Sequence, residues 1–369
     1  MKVNYYQIEL EFRRSFINFT KLIKNYKSDA NFILGKNVKF FERAIAKLLG
    51  CNYVIGVANG TDAIELSIKA LGLNPGDEIL TTSNTFISTA NAIINAGCVP
   101  RFVDIDETMN MDPYEIEKNI NKKTKAIIPV HLNGMPCCMK KINAIAKKYK
   151  LKVIEDAAQA IYSKYAGKFI GNSQNLTCFS LHPTKNLGVL GDGGFITTNS
   201  NKIYKKLCLL RNHGLEKEEL KLVGRNSRLD DIDALIGFIR LRYIKKDTNR
   251  KLKIAKLYDK FLSGLVKTPY LGCCENIQHT YHRYVIRAKK RDILFNFLRK
   301  KGIDVKIHYK KNIHEQKYYK NYLTKKTRLR ITTNISKEIL SLPCNHFMKD
   351  AEVFKVIYSI KEFFFKSKL

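Results

Sequence analysis

Acidic residues are scarce in this chain, long apolar runs are missing, and no cysteines stand at metal-ligating spacing. Without an uncharged apolar stretch near the ~20 residues that a helical span requires, no membrane span is expected. The start, Met1 to Tyr6, soon meets Glu9, Glu11 and Arg13 and has no apolar signal core, so the expected location is cytoplasmic. The nine cysteines form no Cys-x-x-Cys and no Cys/His cluster. The nearest approaches are the adjacent pairs Cys137–Cys138 and Cys273–Cys274. Adjacent cysteines rarely bridge and the count is odd, which points to reduced thiols and no metal site. The 33 Asp and Glu face 66 Lys and Arg, for a net charge of +33. Such an excess can mark a nucleic-acid or membrane binder. Here lysine far outnumbers arginine and is spread along the whole chain. Runs such as Lys245–Lys246 and Lys310–Lys311 are short, and no nucleic-acid motif accompanies them. A lysine-biased composition serving anionic small-molecule substrates is the better reading, with no nucleic-acid partner. The basic, aromatic segment Lys361 to Lys366 reads as an amphipathic helix end, not a membrane anchor.

What is present is the composition of a globular chain, 45% hydrophobic and 27% charged over 369 residues. That length accommodates one large domain and a smaller one. A helix is predicted from about Gln7 to Tyr26. Another starts near Val38, with Val38, Phe41, Ile45, Leu48 and Leu49 on one face, and stops at Gly50. Short apolar strands then alternate with helices. Strands are predicted at 53–58, 78–82, 99–103, 126–130, 152–154, 176–180 and 195–198; helices at 62–71, 88–96 and 138–149. This alternation predicts an α/β fold with a mostly parallel sheet covered on both faces. Beyond about Asn249 the pattern changes to a helix from Lys251 to Leu262, strands at 281–286 and 304–309, and helices from Asp292 and Ala351. The expected division is a large α/β domain over 1–248 and a smaller α+β domain over 249–369.

Ligands of such sheets lie at the carboxyl ends of strands. Three candidate segments end there. Asn59-Gly60-Thr61-Asp62 joins a strand to a helix and offers backbone N–H groups and a helix dipole to a phosphate. Taken alone it reads equally as an ordinary turn with Thr61 or Asp62 as helix cap. Asp156 closes the strand Lys152-Val153-Ile154; a carboxylate there keeps its charge only beside a cation, or else caps a helix. Gln159 would share its side on a following helical turn. Ser180 opens the run Ser180-Leu181-His182-Pro183-Thr184-Lys185-Asn186-Leu187-Gly188, followed by Gly191-Asp192-Gly193-Gly194. A lone lysine in a Ser- and Gly-rich turn, with a carboxylate closing a nearby strand, is what pyridoxal phosphate (PLP) chemistry needs. Lys185 would form the Schiff base, and Asp156 would pair with the pyridinium nitrogen. Burial and cofactor charge would lower the pKa of Lys185 so that its amine can attack.

These motifs, with Phe32-Ile33-Leu34-Gly35, Asn74-Pro75-Gly76-Asp77-Glu78, Arg211-Asn212-His213-Gly214, Asn226-Ser227-Arg228-Leu229-Asp230 and Ile307-His308-Tyr309, run in order along nearly the whole chain. Together they resemble the DegT/DnrJ/EryC1/StrS family of PLP-dependent sugar aminotransferases, which have the aspartate aminotransferase (type I) fold. The resemblance implies that Lys185 is the Schiff-base lysine, Asp156 the pyridinium partner and Gln159 the contact to the ring oxygen. Gly60, Thr61 and Ser180 would bind phosphate, and Phe86 would stack on the ring. Asn226 would reach the phosphate of a neighbouring subunit's cofactor, implying a homodimer with shared sites. His308 and Tyr309 would lie near the substrate. Some relatives are dehydratases with His in place of the lysine; this chain keeps Lys185, which favours transamination. The motifs are closest to those of members acting on nucleotide-linked 3-keto sugars, although His182 stands where many of those carry an aromatic residue. The implied reaction passes an amino group from L-glutamate to a nucleotide-linked keto-6-deoxyhexose, dTDP-linked, for surface glycans. The alternative is the same chemistry on an inosose or a small keto phosphate. A third reading, a non-catalytic PLP-binding protein, fits poorly with an intact Lys185, Asp156 and Gln159.

Overall fold

Strands without polar alternation must be covered on both faces, and the fold does this with one central sheet. A computed structural model describes residues 1–23, 31–272, 276–324 and 327–366. The expected residues Cys273 and Cys274, and the end of the first expected helix, lie outside these. Seven strands make up the sheet: β1 (Tyr53–Val57), β2 (Glu78–Thr82), β3 (Val99–Val103), β4 (Thr124–Ile128), β5 (Lys152–Asp156), β6 (Leu176–Ser180) and β7 (Gly194–Thr198). Their order is β1-β7-β6-β5-β4-β2-β3. The pairs β2/β3, β2/β4, β4/β5 and β5/β6 are parallel, whereas β7 runs antiparallel to both neighbours. The sheet is mostly parallel, as expected, with one reversed strand.

Twelve α-helices accompany these strands among the described residues: α1 (Ile8–Ile23), α2 (Lys36–Leu49), α3 (Gly60–Ala70), α4 (Ser88–Asn95), α5 (Pro113–Asn119), α6 (Met139–Lys148), α7 (Asn201–Leu210), α8 (Asp231–Leu241), α9 (Ile244–Leu262), α10 (Arg291–Lys300), α11 (Arg330–Glu338) and α12 (Asp350–Lys366). Helices α3, α4 and α7 bury Ile64, Leu66, Ile93 and Leu207 with Ile55, Ile128, Ile154 and Ile196 of the sheet. In a separate core, α2 and α8 bury Phe41, Ile45, Ile236 and Ile239 against Phe179 and Phe195. Helix α2 ends at Gly50, whose φ of 78° is the left-handed conformation that a Cβ disfavours.

In the C-terminal part, β8 (Tyr284–Arg287) pairs antiparallel with β9 (Ile339–Leu342). They share a core with Ile254, Tyr258, Leu298, Val356 and Ile360, which Val3 of the amino terminus joins. Two expected strands are corrected here. The strand expected at 281–286 starts only at Tyr284, because residues 280–283 bond the loop after β4: Thr280 N–H donates to Gly134 O and Arg283 N–H to Asn133 O. The strand expected at 304–309 does not form. Its backbone is divided between two partners, with Asp304 N–H donating to Val3 O and only Lys306 bridging to Ser341. Helix α9 starts before Lys251 and runs unbroken through positions 248 and 249, so the expected division falls inside a helix. No helix among the described residues is long and apolar enough to cross a membrane.

Candidate functional site

The chain reverses from β1 into α3 at Asn59. Its side chain caps the helix, accepting from Asp62 N–H at 2.8 Å. The cap is therefore Asn59, not Thr61 or Asp62, which leaves the Thr61 hydroxyl uncommitted to capping. Gly60 lies against the end of β6; a Cβ there would sit 2.9 Å from Ser180 Cβ. Gly194 is as confined, since a Cβ would sit 2.6 Å from the Asn59 carbonyl. Glycine at both places lets strand ends and helix N-terminus converge, with the first-turn N–H groups beside the Ser180 hydroxyl. Such a cradle can take a phosphate.

Asp156 ends β5 and is 4% exposed. Its carboxylate accepts from Thr89 Oγ1 at 2.7 Å and from Ala158 N–H at 3.1 Å. Among the described residues it forms no ion pair. A buried carboxylate held by two neutral donors is oriented and still lacks a cation. Residues 157–159 form a turn and not the expected helical turn. Asp156 is thus no helix cap, yet Gln159 still faces the crevice. Its Oε1 accepts from Asn133 N–H at 2.9 Å and from Arg283 Nη1 at 3.4 Å.

Lys185 is carried by the loop between β6 and β7. That loop is pinned by Leu181 N–H to Gly193 O at 2.8 Å, Val189 N–H to Leu181 O at 2.7 Å and Lys185 N–H to His182 O at 2.8 Å. Burial, and then the charge of Arg283, push the Lys185 ammonium down to about 8, while Asp156 pulls the other way. About a tenth of such an amine is neutral at pH 7, far more than for an ordinary lysine, as a nucleophilic amine needs. His308 Nδ1 lies 2.9 Å from Ser341 Oγ, and burial, followed by Arg283, lowers its pKa to about 3, so the ring is neutral. Tyr309 OH accepts from Arg283 Nη1 at 3.0 Å, and the Tyr309 ring lies 6.0 Å from that of Phe86. His182 is exposed at the mouth and tied to its own turn, Nδ1 to Thr184 Oγ1 at 2.9 Å.

A cavity of about 620 Å³ brings together Gly60, Thr61, Phe86, Asp156, Gln159, Ser180, His182, Lys185, His308 and Tyr309. Asn226 is the one expected site residue outside this crevice. It is exposed, bridged to Asn212, and follows Arg225, which does line the crevice. Sequence reasoning missed Thr89 and Arg283. Thr89 sits three residues past Phe86, so its neighbourhood was visible; Arg283 carried no local signal.

Pyridoxal phosphate suits these groups: a glycine-lined cradle for its phosphate, a buried carboxylate without a cation for its ring nitrogen, and a depressed lysine for its aldehyde. The comparisons agree. The profile of the DegT/DnrJ/EryC1/StrS aminotransferase family matches residues 18–361. The "Pleiotropic regulatory protein" of Geobacillus stearothermophilus is 40% identical over 350 residues, covering 93% of this chain and 94% of that protein. The dTDP-3-amino-3,6-dideoxy-alpha-D-galactopyranose transaminase of Aneurinibacillus thermoaerophilus is 41% identical over 337 residues, covering 90% and 91%. Among solved structures, S. venezuelae DesV in complex with a ketimine intermediate is 30% identical, with a TM-score of 0.94 and 98% of both chains covered. With a family profile matched over all but the ends of its sequence, the chain belongs to the DegT/DnrJ/EryC1/StrS aminotransferase family.

Proposed function

We propose that the chain transfers the amino group of L-glutamate to C3 of a dTDP-linked keto-6-deoxyhexose, supplying an amino sugar for surface glycans. By family it is a PLP-dependent sugar aminotransferase; the donor, the nucleotide and the carbon position are our reading. The observation that carries it is the juxtaposition of Lys185, depressed to about 8, with Asp156 and the Gly60–Ser180 cradle in one crevice. When bound, the cofactor supplies an electron sink for the carbon–nitrogen bonds being made and broken.

In this reading the protein groups divide the work. Gly60, Thr61 and Ser180 hold phosphate. Asp156, fixed by Thr89 and Ala158, would pair with the ring nitrogen, and Gln159 would bond the ring oxygen. Phe86 covers the ring. Lys185 Nζ would hold the cofactor, and its amine would carry a proton to and from the substrate carbon. His182, His308 and Tyr309 meet the substrate. The chain's net charge of +33 suits a pyrophosphate-bearing acceptor.

We further propose a homodimer, working in the cytoplasm. Asn226 is exposed beside the crevice, and Val223, three residues before it, is 86% exposed, with Leu220 at 61%. Apolar side chains so exposed near a site mark a surface that a partner covers. A panel of keto acceptors with L-glutamate tests the substrate: turnover with a dTDP-linked 3-keto sugar is expected, and activity confined to inososes or keto phosphates would replace this acceptor with the non-nucleotide one.

A further inference from the structure

Four arginines are buried below a tenth of their surface among the described residues: Arg211, Arg240, Arg283 and Arg291. Three pair with a carboxylate: Arg211 with Glu42 at 2.6 Å, Arg240 with Glu11 at 2.8 Å and Arg291 with Asp292 at 2.7 Å. Arg283, 7% exposed, pairs with none. Its neighbours are an amide and phenols. Nη1 reaches Tyr309 OH at 3.0 Å and Gln159 Oε1 at 3.4 Å, and the guanidinium sits 5.2 Å from the Tyr309 ring centroid. Nε is buried and takes no partner among the described residues. A buried cation left without an anion is unfavourable, and the folded chain retains it at the wall it shares with Lys185.

We propose that Arg283 is the anchor for a carboxylate of the amino donor, holding it so that the donor's amino group meets the Lys185 side of the crevice. This rests on the reading above that an amino acid is the donor. The cofactor phosphate does not meet the need, because its cradle at Gly60 and Ser180 is built from other segments, and Arg283 instead touches Gln159 and Tyr309. A neutral keto-6-deoxyhexose has no carboxylate, and its nucleotide is remote from the reacting carbon. A planar guanidinium edge matches a carboxylate in two parallel hydrogen bonds. Glutamate, present in only one half of the reaction, would supply that group and then release the same phenol- and amide-lined wall to sugar hydroxyls.

The test uses the cofactor-loaded enzyme, with Arg283→Gln and Arg283→Lys compared after confirming equal loading by absorbance. Glutarate binding is measured by calorimetry. In parallel, the conversion of the loaded cofactor to its amine form by L-glutamate, without acceptor, is followed spectroscopically. Arg283→Gln is expected to weaken glutarate and raise the half-saturating glutamate about tenfold to a hundredfold, the scale of a lost charge-assisted hydrogen bond, with Arg283→Lys recovering part. Glutarate affinity and glutamate saturation both unchanged in Arg283→Gln would overturn the proposal. If that variant does not load, Arg283→Lys decides by the same two readings. Should the wild type fail to convert with L-glutamate, the donor assignment falls, while glutarate binding still decides whether Arg283 holds carboxylates.

Discussion

Arg240 and Arg283 are equally buried, each 7% exposed, yet they live in opposite surroundings. Arg240 sits in an ionic cluster. Glu11 on α1 faces it at 2.8 Å and also faces Arg14 at 2.6 Å and His346 at 2.7 Å, and Asp247 closes the cluster at 2.6 Å from Arg14. Arg283 has only neutral partners, and across the same crevice Asp156 has only neutral donors. The first region is electrostatically complete, so it serves to hold α1, α8 and α9 to the segment around His346. The second is incomplete in both signs, so its charges are available to a ligand. The difference separates buried charge used for the fold from buried charge kept for chemistry, and four perturbations probe it.

The largest effect is expected from Lys185→Ala, which removes the only group proposed to hold the cofactor covalently. The absorbance of the lysine-bound cofactor should vanish and turnover should fall by roughly three orders of magnitude or more; normal turnover would sink the assignment. Next is Glu11→Gln. It leaves Arg240 and Arg14 short of a counter-charge, and breaking such a buried pair costs about 3–5 kcal/mol. Chemical denaturation should show that loss, and a change under 1 kcal/mol would mean the cluster is not structural. Third is acid. Burial opposes ionisation of Glu11, but His346, Arg240 and Arg14 outweigh it and hold the carboxyl down at about 2, against an ordinary 4.5. A carboxyl depressed by folding contributes stability above its ordinary pKa, and that contribution is lost as pH falls toward 2. Wild-type stability should decline across that window, with this part of the decline missing in Glu11→Gln. The smallest effect concerns Lys185 itself. Because Arg283 helps depress its pKa, Arg283→Gln should shift the midpoint of the pH dependence of cofactor attachment upward, by roughly a unit or less. An unchanged or lowered midpoint would show that the two charges do not interact.

The half of the site that sequence made legible is the half written in short segments. Asp156 with Gln159, Gly60 with Thr61, and Ser180 with Lys185 each lie within a few residues, at the ends of strands whose apolar runs are plain. Arg283 was invisible because its meaning is tertiary: it is one basic residue among 66, and its partner Gln159 lies 124 positions away. Thr89 likewise acts on Asp156 across 67 positions. The fold shows the same limit. Strand β2 and strand β3 match their expected bounds, while 304–309, as apolar and alternating as a strand, divides its hydrogen bonds between Val3 and Ser341. Reversal of β7 left no trace in composition, since a buried strand reads the same in either direction. In the first turn of α9, Asp247 meets Arg14 across 233 residues, a contact that no local pattern records.

The claim that Lys185 is the lysine reserved for the cofactor, among so many others, has a direct measurement. The loaded enzyme is reduced with borohydride, digested and analysed by peptide mass spectrometry. A pyridoxyl mass on the peptide containing Lys185 is the predicted result; the label on another lysine, or on none, would contradict the account.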